Sequence, residues 1–389
     1  MSKEKISGSQ IFWMISTMQI GMTILLTINP TVAIAKQDAW ISILLSSMFS
    51  VGLAYILTRI SMMYPNESLI TYAPKIMGKI LGHLIILLYV LYWFTVLAII
   101  LRQYGDFMIG TILPLTPVII PIVGMIVVAV YVSFAGIEVL ARCSEVLGPL
   151  ILLGIMVPLL LNMSQVQVHN LMPVMADNNL LVLVKGALPT ASFLGDNILL
   201  MMILPFLSHP RDGVKGVVLG SVVAGLFTLL SAMQCVAIFG YSTASRQTYP
   251  FLNLVRFVSF GFLQNLDSIV VAIWIMGIFI KVSLYLFAAS YGTSQWLGIK
   301  RWRIFIFIAA PIAIVLSMIP RDFVDSSILF PKLVAVPFNL PVNFILLPLL
   351  LWIVGSIRNR KKKSGSNSGI QRNKRFHKWF RVKIESSVD

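Results

Sequence analysis

Residues 10–34 read QIFWMISTMQIGMTILLTINPTVAI, 25 positions without a charge. At 1.5 Å of rise per residue such a helix outspans a hydrocarbon core of about 30 Å. Gln19, Thr23 and Thr27 stand at i, i+4 and i+8, a polar stripe on one face, with Gly21 in mid-run and Pro30 near its far end. Unwinding near Gly21 would free backbone N–H and C=O groups that, in lipid, must be met by protein, water or a ligand. The other reading of the stripe is interhelical packing, with small and hydroxyl residues as glue.

Nine further apolar runs follow, at about 39–62, 83–105, 117–136, 143–163, 184–206, 214–240, 267–292, 302–319 and 335–357. Hydrophobic residues make up 58% of the chain and charged residues 11%, with a mean hydropathy of +0.90. Soluble domains carry about 25% charge, so the expectation is an all-α integral membrane protein of about ten transmembrane helices. Residues 1–357 form the membrane domain, with repeats at about 10–163 and 184–357, and 358–389 a basic cytoplasmic tail.

The net charge of +16 does not indicate nucleic acid, because 11 of the 30 Lys and Arg lie in that tail. The tail's basic residues and its Phe376, Trp379 and Phe380 suit contact with anionic lipid; a solvated topology signal is the alternative. With the N-terminus cytoplasmic, the inner segments collect 22 Lys and Arg against 7 outside, Arg102 counted among the latter. The positive-inside rule then places both termini in the cytoplasm. Cys143 and Cys235 lack framework spacing and the four histidines are scattered, so neither a disulfide scaffold, a metal site nor any cofactor is expected. No phosphate loop or catalytic triad is visible, which excludes an ATP-driven pump within this chain and argues against an enzyme. The first run shows no cleavage site and reads as a mature helix.

The sixth run holds Pro189, then Ser192, Gly195, Asp196 and Asn197. An ionisable group at membrane depth costs about 2.5–3.5 kcal/mol and usually marks function; Asp196 in an aqueous vestibule is the alternative. Lys281 lies 14 residues past Asp267 in the eighth run, with Tyr285 one turn on and Gly277 one turn back. It suits either a coupling role, replacing a cation between the first and eighth runs, or a structural pair with Asp196. Glu138 and Arg142 have i, i+4 ion-pair spacing and read as a cytoplasmic clamp or an inner gate. Tyr89, Tyr92 and Trp93 share a face, either packing or walling a pocket. Irregular segments in the first and sixth runs are matching positions of a 5+5 arrangement, which suggests an inverted repeat.

In this order and spacing, further pieces carry a resemblance: Ile6-Ser7 with Gln10, Gln37-Asp38-Ala39-Trp40-Ile41, Tyr64-Pro65, Met77-Gly78-Lys79-Ile80-Leu81-Gly82, Leu113-Pro114-Leu115-Thr116-Pro117, Gly136 through Arg142, Tyr249-Pro250, and Trp274 before Lys281. Over about residues 7–357 the chain resembles the B-subunit family of spore germinant receptors, permease-like proteins of the amino acid–polyamine–organocation transporter superfamily.

The resemblance implies a fold like the leucine transporter, with 5+5 inverted repeats and discontinuous first and sixth helices. It implies a nutrient germinant near the midplane, companion A and C subunits, and the inner membrane of a spore. The first break would map to Ile20, Gly21 and Met22, flanked by Gln19 and Thr23, the second to Pro189 through Ser192, with Tyr92 and Lys281 contributing. Asp196, Lys281, Tyr285, Glu138 and Arg142 are the coupling or gating candidates. The tail beyond Arg358 is longer than the family pattern, and the first break lacks the Gly-rich run of amino acid transporters. The leading expectation is a sensor whose ligand, an L-amino acid, enters under the 164–183 and 241–266 segments. The rivals are a proton-coupled secondary amino acid transporter in the cell membrane and a structural subunit with a vestigial pocket.

Overall fold

The computed structural model describes residues 4–257 and 267–359, among which all regular structure is helical. The basic residues from Arg360 onward lie outside the described residues. Helix α1 spans Gly8–Ala35, α2 Ala39–Met63, α3 Leu69–Met77, α4 Lys79–Thr111, α5 Ile119–Ala135 and α6 Ile137–Leu161. Then come α7 (Leu180–Leu194), α8 (Leu200–Ile203), α9 (Pro210–Ala244), α10 (Pro250–Arg256), α11 (Asp267–Trp296), α12 (Trp302–Ser317) and α13 (Asp325–Asn359).

Seven helical runs are long and apolar enough to cross a membrane, the first of them, Gly8–Met63, holding both α1 and α2. With the shorter apolar helices α5 and α12, ten apolar segments are described, at the places where the sequence has its ten runs. The chain is a multi-pass membrane protein.

Many pieces that carry the family resemblance turn out to be corners. Ser7 and Gln10 close a capping box at the start of α1: the Ser7 hydroxyl accepts from Gln10 N at 3.1 Å, and Gln10 Oε1 accepts from Ser7 N at 2.9 Å. Asp38, in the turn between α1 and α2, accepts from Met175 N at 3.0 Å and Asn178 Nδ2 at 2.7 Å, holding down the segment that precedes α7. Gly78 turns the chain from α3 into α4 at φ 84°, a value that favours glycine. At Gly82 a Cβ would stand 2.4 Å from Pro74 Cα, so only glycine lets α3 lie on α4.

The helices sort into two groups. α1, α2, α7 and α9 pack together; α4, α5, α11 and α12 form the second group, and α1 and α11 join the two with α6 beside them. The first two long helices of each half fall in one group and the third and fourth in the other, as a duplicated five-helix unit would give. Serines at i, i+4 and i+8 of α2 clasp α7: Ser42, Ser46 and Ser50 donate to the carbonyls of Leu183 (2.9 Å), Ala187 (2.7 Å) and Leu194 (3.1 Å). Hydroxyls bonding backbone carbonyls across helices are the usual glue where lipid offers no competing partner.

Two sequence expectations change here. α1 runs without interruption from Gly8 to Ala35, so Gly21 opens no gap in it. The polar stripe folds back on its own helix, Thr23 donating to Gln19 O at 2.5 Å and Thr27 to Thr23 O at 2.8 Å. Gly21 instead marks where α1 crosses α11, facing the backbone of Gly277. Arg102, placed in an outer connection by the charge pattern, is buried within α4, because Asp106 one turn on neutralises it at 2.9 Å. The helix therefore extends past residue 105 to Thr111.

Candidate functional site: a broken helix between two groups

The interruption in the sixth run falls later than Pro189–Ser192. Both residues lie inside regular α7, and the Ser192 hydroxyl donates to Pro189 O at 2.7 Å. After Leu194 the chain tightens into a 3₁₀ stretch, Gly195–Leu199, before the short α8. Gly195 makes room for the break: a Cβ there would stand 2.1 Å from the ring of buried Phe344 on α13.

Changing helix type leaves carbonyls without their usual partners, and the surroundings supply replacements. Leu194 O accepts from Gln19 Nε2 at 3.2 Å and from Ser50 Oγ at 3.1 Å. Asn197 extends this patch, its Oδ1 accepting from Gln19 Nε2 at 2.8 Å and Ser221 Oγ at 3.3 Å. Its Nδ2 donates to Ser50 O at 3.0 Å and Ser50 Oγ at 2.9 Å. Asn197 thus binds α1, α2 and α9, all of the first group.

Its neighbour Asp196 binds the second group. Lys281 Nζ on α11 lies 2.5 Å from Asp196 Oδ2, both side chains almost wholly buried. The Tyr285 hydroxyl donates to Asp196 Oδ1, as does Tyr92 of α4 at 3.3 Å, and the two hydroxyls stand 3.0 Å apart. Lys281 Nζ also lies 5.5 Å from the centre of the Phe193 ring, within cation–π range. Adjacent residues of one 3₁₀ stretch are therefore anchored to different helix groups.

Ser192, Asp196, Lys281 and Tyr92 line a chamber of about 40 Å³, space for a few waters. Phe193 and Pro331 line it too, and both also line a cleft of about 640 Å³ toward the Pro30 end of α1. That volume falls in the range of small-molecule sites. Pro189 and Thr27 belong to this cleft.

The structure thus brings together Gln19, Tyr92, Ser192, Asp196, Lys281 and Tyr285. It leaves Ile20 and Met22 among the apolar core of α1. Glu138 and Arg142 pair at 2.7 Å at the start of α6, with Arg142 exposed, apart from the chamber. Beside them Glu4 accepts from Ile137 N at 3.1 Å and pairs with Arg303 at 2.7 Å. Sequence reading passed over Asn197's wider network, Ser50 and Ser221, and also Arg102 and Asp106. Only the serine spacing on α2 was a readable signal.

Comparison with known proteins identifies the family and the fold. A family profile described as "Spore germination protein" matches residues 5–326. Spore germination protein KB of Bacillus subtilis is 31% identical over 93% of this chain and 98% of its own length. Spore germination protein YndE of the same organism is 28% identical over 87% and 93%. Among solved structures, MhsT in complex with L-phenylalanine superposes with a TM-score of 0.63 at 11% identity, over 92% of this chain and 97% of its own. Mhp1, a nucleobase-cation-symport-1 family transporter, gives 0.62 at 11%, over 92% and 91%. These two show the fold, that of the leucine-transporter class. The relatives are germination proteins and the neighbours transporters, not enzymes.

Proposed function

The chain belongs to the spore germination protein family, and on that premise we propose that it is the membrane subunit of a nutrient-germinant receptor that binds an L-amino acid near the midplane. The observation that carries the reading is the helix break beneath the cleft, with Asp196 tied to α4 and α11 and Asn197 tied to α1, α2 and α9. A ligand that enters the cleft and moves Phe193 off Lys281 changes a covalently adjacent pair anchored to both groups. It shifts the packing equilibrium by its differential affinity for the two arrangements, and by no more than that. Companion A and C subunits read the shift at the inner membrane of the spore, with both termini cytoplasmic. Gln19, Thr23, Tyr92 and Ser192 are the ligand-facing candidates once the chamber opens, with Asp196, Lys281 and Tyr285 as the coupling group.

A second reading, a proton-coupled amino acid transporter, is favoured by the same buried Lys281–Asp196 pair flanked by two tyrosine hydroxyls, a group able to exchange a proton at membrane depth.

The test is deletion of the gene in its sporulating host, followed by dipicolinate release across a panel of single nutrients. Loss of response to one amino acid class, restored by the wild-type chain and not by Asp196→Asn, supports the receptor. Normal germination with lost pH-gradient-driven uptake in vesicles supports the transporter instead.

A further inference from the structure

The large cleft has a charge character that the chamber lacks. Three basic residues from three separate elements converge on it: Lys185 of α7, Arg246 just past α9, and Lys332 of α13. Among the described residues no Asp or Glu lines it. Among the described residues none of the three side chains has an ion-pair or hydrogen-bond partner. Acids on neighbouring stretches are engaged elsewhere, Asp177 with Lys36 at 3.7 Å and Asp325 with Arg321 N at 3.0 Å. The rest of the lining is largely apolar, with Leu188, Pro189, Phe193, Phe323 and Val336, while the three cations themselves are exposed at its wall. A concave wall of one sign focuses the field and raises the local concentration of the opposite charge. The chamber below is balanced by its Lys281–Asp196 pair and exerts no such preference.

We propose that this cleft is a carboxylate-binding site. It takes a small organic acid, or the carboxylate end of an amino acid, between Lys185, Arg246 and Lys332, with the apolar remainder of the ligand against Leu188 and Phe193. The inference rests on the cleft being the ligand's way in, and it adds a selection by charge before the chamber is reached. Asn29 holds the Arg246 segment in place, donating to Ser245 O at 3.0 Å and Gln247 O at 2.5 Å, so the third cation is fixed to α1 rather than carried on a free loop.

The experiment titrates the purified full chain in detergent at low ionic strength with propionate and succinate, with propionamide and succinamide as neutral matches, and with inorganic phosphate. The readout is the thermal midpoint. Both acids raise it, the amides do not, and in K185Q/R246Q/K332Q the half-saturating concentration of succinate rises about tenfold or more. The unliganded midpoint of that variant stays near wild type, since exposed unpaired cations contribute little to stability. Equal response to acid and amide, phosphate as effective as succinate, or an unaltered response in the triple variant overturns the proposal. An Asp196→Asn chain separates the two readings. If it keeps succinate binding while germination fails, the cleft and the receptor both stand. If the triple variant binds succinate normally while Asp196→Asn still blocks germination, only the cleft assignment falls.

Discussion

Lys281 Nζ sits 2.5 Å from Asp196 Oδ2, in a place where neither side chain reaches solvent. The pair joins α11 to the 3₁₀ stretch that follows α7 in the first group. Removing either partner strands the other charge away from water, which typically costs about 3–5 kcal/mol, whereas replacing both can be neutral. Lys281→Met and Asp196→Asn each lower the thermal midpoint in detergent, and the double substitution recovers most of the loss. A double variant no better than the worse single one would mean that the pair is not a closed electrostatic unit.

Two glycines that look alike in sequence part company in space. A methyl at Gly195 would collide with Phe344 at 2.1 Å, while one at Gly21 would rest at 3.7 Å from Gly277, ordinary contact. Overpacking a core costs about 1–3 kcal/mol. Gly195→Ala therefore lowers abundance and midpoint, and adding Phe344→Leu restores part of both. Gly21→Ala leaves them near wild type. If Gly21→Ala proves the more damaging, the crossing of α1 and α11 is closer than described.

Gln19 and Asn197 distinguish scaffold from ligand contact. Unsatisfied buried polar groups cost about 1–3 kcal/mol. Asn197→Leu strips partners from Gln19, Ser50 and Ser221 at once and costs more than Gln19→Leu, after which Ser50 still serves Leu194 O. Midpoints of the purified variants show the order. A Gln19→Leu chain with an unchanged midpoint and reduced nutrient sensitivity would assign Gln19 to the ligand alone.

Arg102 ties α4 to the segment before α13. Beyond its pair with Asp106, it donates to Pro320 O and, at 2.5 Å, to Arg321 O, while Ser326 Oγ donates to Asp106 Oδ2 at 2.8 Å. Arg102→Met leaves Asp106 as a lone buried charge, a loss of about 3–5 kcal/mol. Arg102→Met/Asp106→Asn is milder. Hydrogen exchange across residues 318–327 rises in the single variant; exchange that stays flat there would show that the segment is held by other contacts.

Much of the architecture was legible because hydropathy acts on whole runs of residues. A helix in lipid must satisfy its backbone internally and clothe itself in apolar side chains, so ten apolar runs announce ten segments, and the order of the motif pieces announces the family. That Asp196 and Lys281 each need a partner was legible for the same reason, since an ionisable group in such a run is costly. Their pairing was one of two sequence readings of Lys281, and with 85 positions between them only the packing of α11 against the 3₁₀ stretch decided for it. Sequence spacing could not locate the break, because Pro189, Gly195 and Gly21 are all weak interrupters whose effect depends on what faces them. Pro189 stays helical within α7, Gly21 gives way to Gly277, and only Gly195, against Phe344, coincides with a change of helix type. The sequence by itself determined what had to be buried in lipid. Which polar groups meet, and where a helix can break because neighbours take up its carbonyls, was decided by contacts between helices distant in the chain.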